Sequence, residues 1–98
     1  MEYRLEYLPE ANVNLLEAEI YLSARSLTAI DKFIEAIDKQ TETLIKHPLM
    51  YPVYDLDNRF RLMPLPYQYL CFYRVDETAR IITIHRVYRG MRDIPSLL

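Results

Sequence analysis

Residues 67–88 read YQYLCFYRVDETARIITIHRVY. Aromatic and β-branched residues fill both halves, and Asp76-Glu77-Thr78 separates them. Runs of this composition bounded by turn residues form strands, so Tyr67–Val75 and Arg80–Tyr88 are expected to pair as an antiparallel hairpin. Arg59–Leu65, set off by Pro64 and Pro66, predicts a strand before them. At strict period two, Phe60, Leu62, Leu70, Phe72, Ile82 and Ile84 share one apolar face. Arg59, Arg61, Met63, Tyr69, Tyr73, Thr83 and His85 then share the other.

Upstream of the hairpin the period changes. In Glu2–Leu8, Tyr3, Leu5 and Tyr7 alternate with Glu2, Arg4 and Glu6, which predicts a short half-buried strand. Pro9 suits a first helical turn, with Glu10 beside the positive helix end. A helix over about Pro9–Ala24 carries Ala11, Leu15, Ala18 and Leu22 as its stripe, and Val13, Leu16 and Ile20 are expected to widen the same face. Arg25 and Ser26 mark the break. A second helix runs from Leu27 or Thr28 to Lys46, with Thr28 and Asp31 at capping-box spacing. Its stripe is Ile30, Phe33, Ile37, Thr41 and Leu44, broadened by Ile34 and Ile45; Pro48 ends it. Residues 48–58 form a loop marked by Pro48, Pro52, Asp55, Asp57 and Asn58. The expected fold is therefore a single α+β domain over residues 1–98 with order β-α-α-β-β-β. A helical hairpin packs on a twisted, mainly antiparallel sheet.

Composition narrows the function classes. The chain has 98 residues, 51% of them hydrophobic and 27% charged, which is the balance of a globular domain. One cysteine, Cys71, permits no internal disulfide and fits a reducing cytoplasm. No apolar stretch is long enough to span a bilayer, and no leader is visible in Met1–Glu10. Two histidines and one cysteine lack metal-ligand spacing, and no glycine-rich phosphate loop exists, so neither metal nor cofactor is expected. The net charge of −2 conceals an asymmetry. Residues 1–58 hold five Lys/Arg against eleven Asp/Glu, and residues 59–98 hold seven arginines against three acids. A basic half on an acidic body provides for a polyanion site or an acidic partner peptide. Those late cations are all arginine, whose planar fork suits phosphate and carboxylate.

The chain resembles the RelE/ParE toxins of bacterial type II toxin–antitoxin modules. The resemblance runs through Tyr7-Leu8-Pro9-Glu10-Ala11, Tyr21, Ala29-Ile30-Asp31-Lys32-Phe33-Ile34 and the Leu44…Pro48 helix close. It continues in Arg59-Phe60-Arg61, Phe72-Tyr73-Arg74-Val75 and Ile84-His85-Arg86-Val87-Tyr88-Arg89-Gly90-Met91-Arg92-Asp93. It implies a toxin silenced by a cognate antitoxin, with a heterotetramer as one form of the pair. The target it implies is either ribosome-bound mRNA, cleaved by an endoribonuclease, or DNA gyrase, inhibited without catalysis. A degenerate member that only binds its partner is the alternative.

The RelE-like branch implies a basic pair on one strand, an arginine on the next, and an arginine with a tyrosine near the end. Arg59 and Arg61 match the pair, and Arg89 and Arg92 are the late candidates. Leu70 occupies the third-strand slot, and the place of the late tyrosine falls near Ser96, so that tyrosine is missing and Tyr69, Tyr73 or Tyr88 would have to substitute. Tyr69, Tyr73, Arg74, His85, Arg86 and Tyr88 are candidates for binding target or antitoxin. Each has a plainer reading. Arg59 and Arg61 could be a solvated strand edge. Arg74 and Arg86 could pair with Asp76, Glu77 or Asp93. His85 has the ordinary pKa for acid–base work, yet a lone strand histidine is more often structural. Tyr67, Tyr69 and Tyr73 could stack on bases or pack the sheet, and packing is favoured. Cys71, between Leu70 and Phe72, reads as a buried small hydrophobe.

Overall fold

The computed structural model describes residues 2–90. Strand β1 (Arg4–Tyr7) leads into helix α1 (Pro9–Ser23) and helix α2 (Leu27–Leu44). Strands β2 (Arg61–Leu65), β3 (Tyr69–Asp76) and β4 (Ile81–Arg89) follow, with a short 3₁₀ turn at Pro66–Gln68. The sheet order is β1-β4-β3-β2. β1 runs parallel to β4, and the other two pairings are antiparallel. The expected order of elements and the mainly antiparallel sheet are both present.

Local chemistry accounts for the element ends. Pro9 opens α1, where its missing N–H would be unpaired anyway. α2 is capped by Ser26, whose hydroxyl accepts from the Ala29 amide at 3.3 Å. The expected Thr28–Asp31 capping box is not used, because Ser26, two residues before Thr28, takes the cap and Thr28 already lies inside the first turn. In the β3–β4 turn, the Asp76 carboxylate accepts from the Thr78 and Ala79 amides at 3.0 and 2.9 Å. The turn extends to Arg80, at φ +57°. Tyr67 and Gln68 also adopt left-handed φ of 63° and 67°. Such non-glycine residues cost roughly 1–3 kcal/mol each and persist only where surroundings hold them. Two such restraints are present: the Gly90 amide donates to Gln68 O at 2.6 Å, and Gln40 Nε2 donates to Pro64 O at 2.8 Å.

The faces of the sheet differ from the strict-alternation expectation. β4 carries a bulge: Phe72 pairs with Arg86 but Tyr73 pairs with Ile84, leaving His85 as the extra residue. The bulge switches the parity of β4, so Ile82, Ile84 and Val87 all join the core beneath the helices. Met63, Tyr69 and Tyr73, expected on the open face, are buried in that same core with Phe33 and Leu44. Phe60, Leu62, Leu70 and Phe72, expected to share a face with Ile82 and Ile84, instead form a second cluster with Tyr54 and Tyr88 on the other side. The loop before β2 lies along this cluster through one isolated bridge, Val53 to Arg61: Leu62 N donates to Pro52 O and Tyr54 N to Phe60 O.

α1 also departs from expectation. Ala11, Ala18 and Leu22 are buried, but Val13, Leu16 and Ile20 are 56%, 58% and 61% exposed. At 100° per residue these three lie opposite the buried stripe, so they do not widen it. On α2, Phe33 and Leu44 are buried and Ile30, Ile37 and Ile45 pack against them, while Ile34 is exposed.

The helix layer and the bulge are tied directly. Asn14 Oδ1 accepts from the Val87 amide at 3.0 Å, immediately after the bulge. Asn14→Ala leaves that amide without its acceptor. The variant is expected to lose about 1–3 kcal/mol of stability in urea denaturation; an unchanged midpoint would show that the bulge is held by the ladder alone.

Candidate functional site

The bulge decides what the open face of the sheet presents. At a bulge two successive side chains point to the same side, and here these are His85 and Arg86. Both stand over the second cluster. The Phe60 ring, 1% exposed, forms the floor. The His85 ring meets it edge-on with centroids 4.9 Å apart. The Arg59 and Arg74 guanidinium carbons lie 5.4 and 6.0 Å from the Phe60 centroid, within cation–π range. Three cationic or titratable groups therefore gather on one buried aromatic ring. An open groove of about 520 Å³ runs beside them, lined by Arg74, Thr78, Thr83 and His85, with Asp76 and Glu77 toward the turn.

Each cation has a different degree of freedom. Arg59 is committed to Asp57, with Nε donating to Oδ1 at 2.9 Å and Nη2 to Oδ2. The hydrogen bonds from Arg59 hold the Asp57 carboxyl down at about 2. Arg86 donates to the His85 carbonyl at 2.7 Å and lies 3.9 Å from Glu10 at the start of α1. Its carboxylate partner is thus on the first helix, not in the hairpin turn. Arg74 makes no ion pair among the described residues and rests on Phe60. Burial, then the charges of Arg74, Arg86 and Arg59, push the His85 pKa below its usual 6.5; Glu10 pulls weakly the other way. His85 is therefore neutral at neutral pH and can both donate and accept a hydrogen bond.

The candidate catalytic residues are not brought together. Arg61 pairs with Tyr73 on the helix side of the sheet, and its Nη1 donates to Tyr51 O at 2.7 Å and Leu49 O at 3.4 Å. It clamps the 49–51 loop. Arg59 lies before β2 starts, so the two do not behave as an i, i+2 pair on one face. Arg89 stands opposite Tyr69 and reaches over Tyr21 of α1. Arg92 lies outside the described residues, as does Asp93.

The aromatic candidates are mostly structural. Tyr69 packs its ring 5.0 Å from Phe33, and Tyr73 donates to Pro48 O at 2.9 Å. Burial pushes the Tyr73 hydroxyl and the Cys71 thiol each up to about 12. Tyr88 is half-buried in the second cluster against Phe72. Of the binding candidates, Arg74 and His85 line the groove, Arg86 turns from beside them toward Glu10, and Tyr69 and Tyr73 lie behind the sheet.

Sequence reasoning missed the Glu10–Arg86 contact and a second cationic corner. There the Arg25 and Arg89 guanidinium carbons lie 4.2 and 4.7 Å from the Tyr21 ring centroid. Tyr21 and Arg25 are four residues apart, a spacing that signals a helical neighbour. Nothing in the sequence places Arg89 there.

A group of this kind can bind an anion through guanidinium and imidazole. It places no base against a nucleophile. The depressed His85 pKa has a consequence for stability. Just below the ordinary histidine value, the unfolded chain holds more protons than the folded one. The His85 contribution is thus present above that value and is lost as pH falls toward the depressed one. Expected results are an NMR titration of His85 with a midpoint below 6.5, and a rise of that midpoint in Arg74→Gln. A midpoint unaffected by Arg74→Gln would separate the two groups electrostatically.

Comparison with known proteins agrees with this architecture. A family model for the ParE toxin of type II toxin–antitoxin systems, parDE, matches residues 5–94. No curated protein matches the sequence. A chromosomal ParDE system structure from Pseudomonas aeruginosa superposes with a TM-score of 0.71 at 17% identity, covering 92% of this chain and 98% of that one. A double mutant of Escherichia coli RelE in its free state gives 0.62 at 15%, covering 91% and 84%. The RelBE2 toxin–antitoxin complex from Mycobacterium tuberculosis gives 0.57 at 17%, covering 91% and 92%. At these identities the solved structures establish a shared fold, and the family match over nearly the whole length establishes kinship: the chain belongs to the ParE toxin family of type II toxin–antitoxin systems.

Proposed function

We propose that this toxin inhibits growth by binding a protein target, DNA gyrase, without cleaving RNA, and that a cognate antitoxin silences it. The observation that carries the reading is the fate of the two arginines proposed for catalysis. Arg59 is neutralised by Asp57, and Arg61 is spent on loop carbonyls across the sheet. Cleavage through a ribose 2′-hydroxyl needs a base for that proton and unpaired cations for the phosphorane. Neither requirement is met by these two groups. The kinship with ParE toxins supports the same side of the choice.

The antitoxin partner is inferred from that kinship and from the solved relatives, which include toxin–antitoxin complexes. A ribosome-bound message is the second reading. It is favoured by Arg74, which makes no ion pair among the described residues and lines the groove beside neutral His85. In that case Arg74 and His85, rather than Arg59 and Arg61, would meet phosphate.

Expression of the chain alone separates the readings. The expected outcome is growth arrest with double-strand breaks, and loss of supercoiling by purified gyrase when the chain is added. Arg61→Gln is expected to lower stability by about 1–3 kcal/mol through the orphaned loop carbonyls. Its effect on growth should then scale with the folded fraction. Truncated messages at ribosomal positions with gyrase unaffected would overturn the reading in favour of the nuclease. Normal growth with a soluble, folded chain would favour the degenerate member.

A further inference from the structure

Three polar side chains line up on the open face of the sheet beside the β3–β4 turn. Arg74 and Thr83 face each other across β3 and β4, and His85 follows Thr83 at i+2 on the same side. Phe60 lies beneath, 6.0 Å from the Arg74 guanidinium carbon and 4.9 Å from the His85 ring, centroid to centroid. The Phe60 ring is covered, so it orients these two groups and leaves no free face for a base to stack on. Among the described residues, the Thr83 hydroxyl and the His85 ring nitrogens donate to no protein acceptor. The three groups line one open groove, together with the Thr78 hydroxyl.

The charge of the groove selects its ligand. Arg59 is closed by Asp57, Arg86 leans to Glu10 at 3.9 Å, and Arg80 turns away to Tyr3, 5.9 Å from that ring centroid. Arg74 is left as the cation of the groove, with Asp76 and Glu77 at the turn end. A phosphate backbone would carry several charges past those two carboxylates. A single carboxylate brings one charge. The planar fork of Arg74 takes it bidentately, and Thr83 and neutral His85 supply further donors. We propose that Arg74, Thr83 and His85 form a site for the side-chain carboxylate of an aspartate or glutamate on a partner polypeptide. This deepens the reading of a protein target and rests on it for the bearer of the carboxylate.

Such a site responds to pH. Burial is the first cause that holds His85 neutral; Arg74 on β3, Arg86 on β4 and Arg59 before β2 follow, and Glu10 on α1 opposes them. Asp76 and Glu77 stand further along the groove. A bound carboxylate offsets the arginines and favours the imidazolium. By linkage, binding then strengthens as pH falls toward the His85 midpoint. A glutamate on the partner, with an ordinary pKa of about 4.3, stays charged over that range.

The test titrates the full chain, by NMR, with a blocked peptide carrying one glutamate between glycines. Its glutamine counterpart and methyl phosphate serve as comparisons. The Arg74 Nε, Thr83 amide and His85 ring signals should shift together and saturate with the glutamate peptide. Arg74→Gln, a change at an exposed position, should weaken binding about tenfold or more. Affinity should rise about threefold or more between neutral pH and the His85 midpoint, and His85→Gln should flatten that rise. In the unaltered chain, saturating peptide should raise the His85 midpoint, a readout that needs no variant to fold. The proposal is overturned if these signals stay still, if the glutamine peptide moves them equally, or if Arg74→Gln binds as well. Tighter binding of methyl phosphate than of the glutamate peptide also overturns it, since a nucleic acid backbone would then be the better occupant. The titration contains no gyrase, so its failure overturns the site alone, whereas failure of the supercoiling assay overturns the target alone.

Discussion

One extra residue in β4 governs the architecture of this protein. β4 is hydrogen-bonded on both edges, to β1 and to β3, so its side chains supply both faces of the sheet near its centre. Without the bulge, alternation from Ile84 would bring Arg86 into the helix-side core and set Val87 on the open side. Burying an unpaired guanidinium there would cost several kcal/mol. The bulge places Val87 in the core and turns Arg86 outward beside His85. The same step leaves Arg86 within reach of Glu10, and the Val87 amide within reach of Asn14. The irregular strand, the first helix and the basic surface are thus parts of one arrangement.

That arrangement explains which parts were legible in the sequence. Element order followed from periodicity, because the strands and α2 carry strong local patterns bounded by proline and turn residues. Face assignment did not, because parity along a strand is a running count and a single inserted residue reverses it. His85-Arg86 looks like any alternating pair; only the pairing of Phe72 and Tyr73 with β4 reveals the step. Met63, Tyr69 and Tyr73 do share a face, but the β3–β4 register sets Ile84 opposite Tyr73 and Ile82 opposite Val75, so that face is the buried one. α1 failed for another reason. Its apolar residues surround the helix, so no single direction stands out, and Val13, Leu16 and Ile20 could not be distinguished from the core stripe by spacing alone.

Charge was legible in amount but not in arrangement. The seven late arginines are evident from the sequence, yet their partners are set by tertiary contacts. Arg59 finds its carboxylate two residues away, Arg86 finds one at the far end of the chain, and Arg61 finds carbonyls in a loop. Arg25 and Arg89, more than sixty positions apart in sequence, meet on a tyrosine ring that a period-based reading treated as part of a helix. Arginine tolerates these roles because its charge does not titrate away and its planar face stacks on aromatic rings. A lysine in the same places would form neither the bidentate contact of Arg59 nor the stacking of Arg74.

The edges of the sheet finally constrain how any partner approaches. β2 is an outer strand in which Pro64 lacks a donor, Leu62 N is taken by Pro52 O, and Pro64 O is taken by Gln40. β1, the other outer strand, is short and carries an Arg4–Glu6 ion pair. Charge, proline and a covering loop are the usual means of keeping an edge from pairing with another chain. With both edges blunted, recognition falls to side chains on the faces. One face offers arginine and neutral histidine on an aromatic floor; the outer layer offers the exposed aliphatic face of α1, with Arg25 beyond its end and Arg89 of β4 meeting on the Tyr21 ring. These surfaces differ in chemistry and lie on opposite sides of the sheet, so occupation of one leaves the other sterically open.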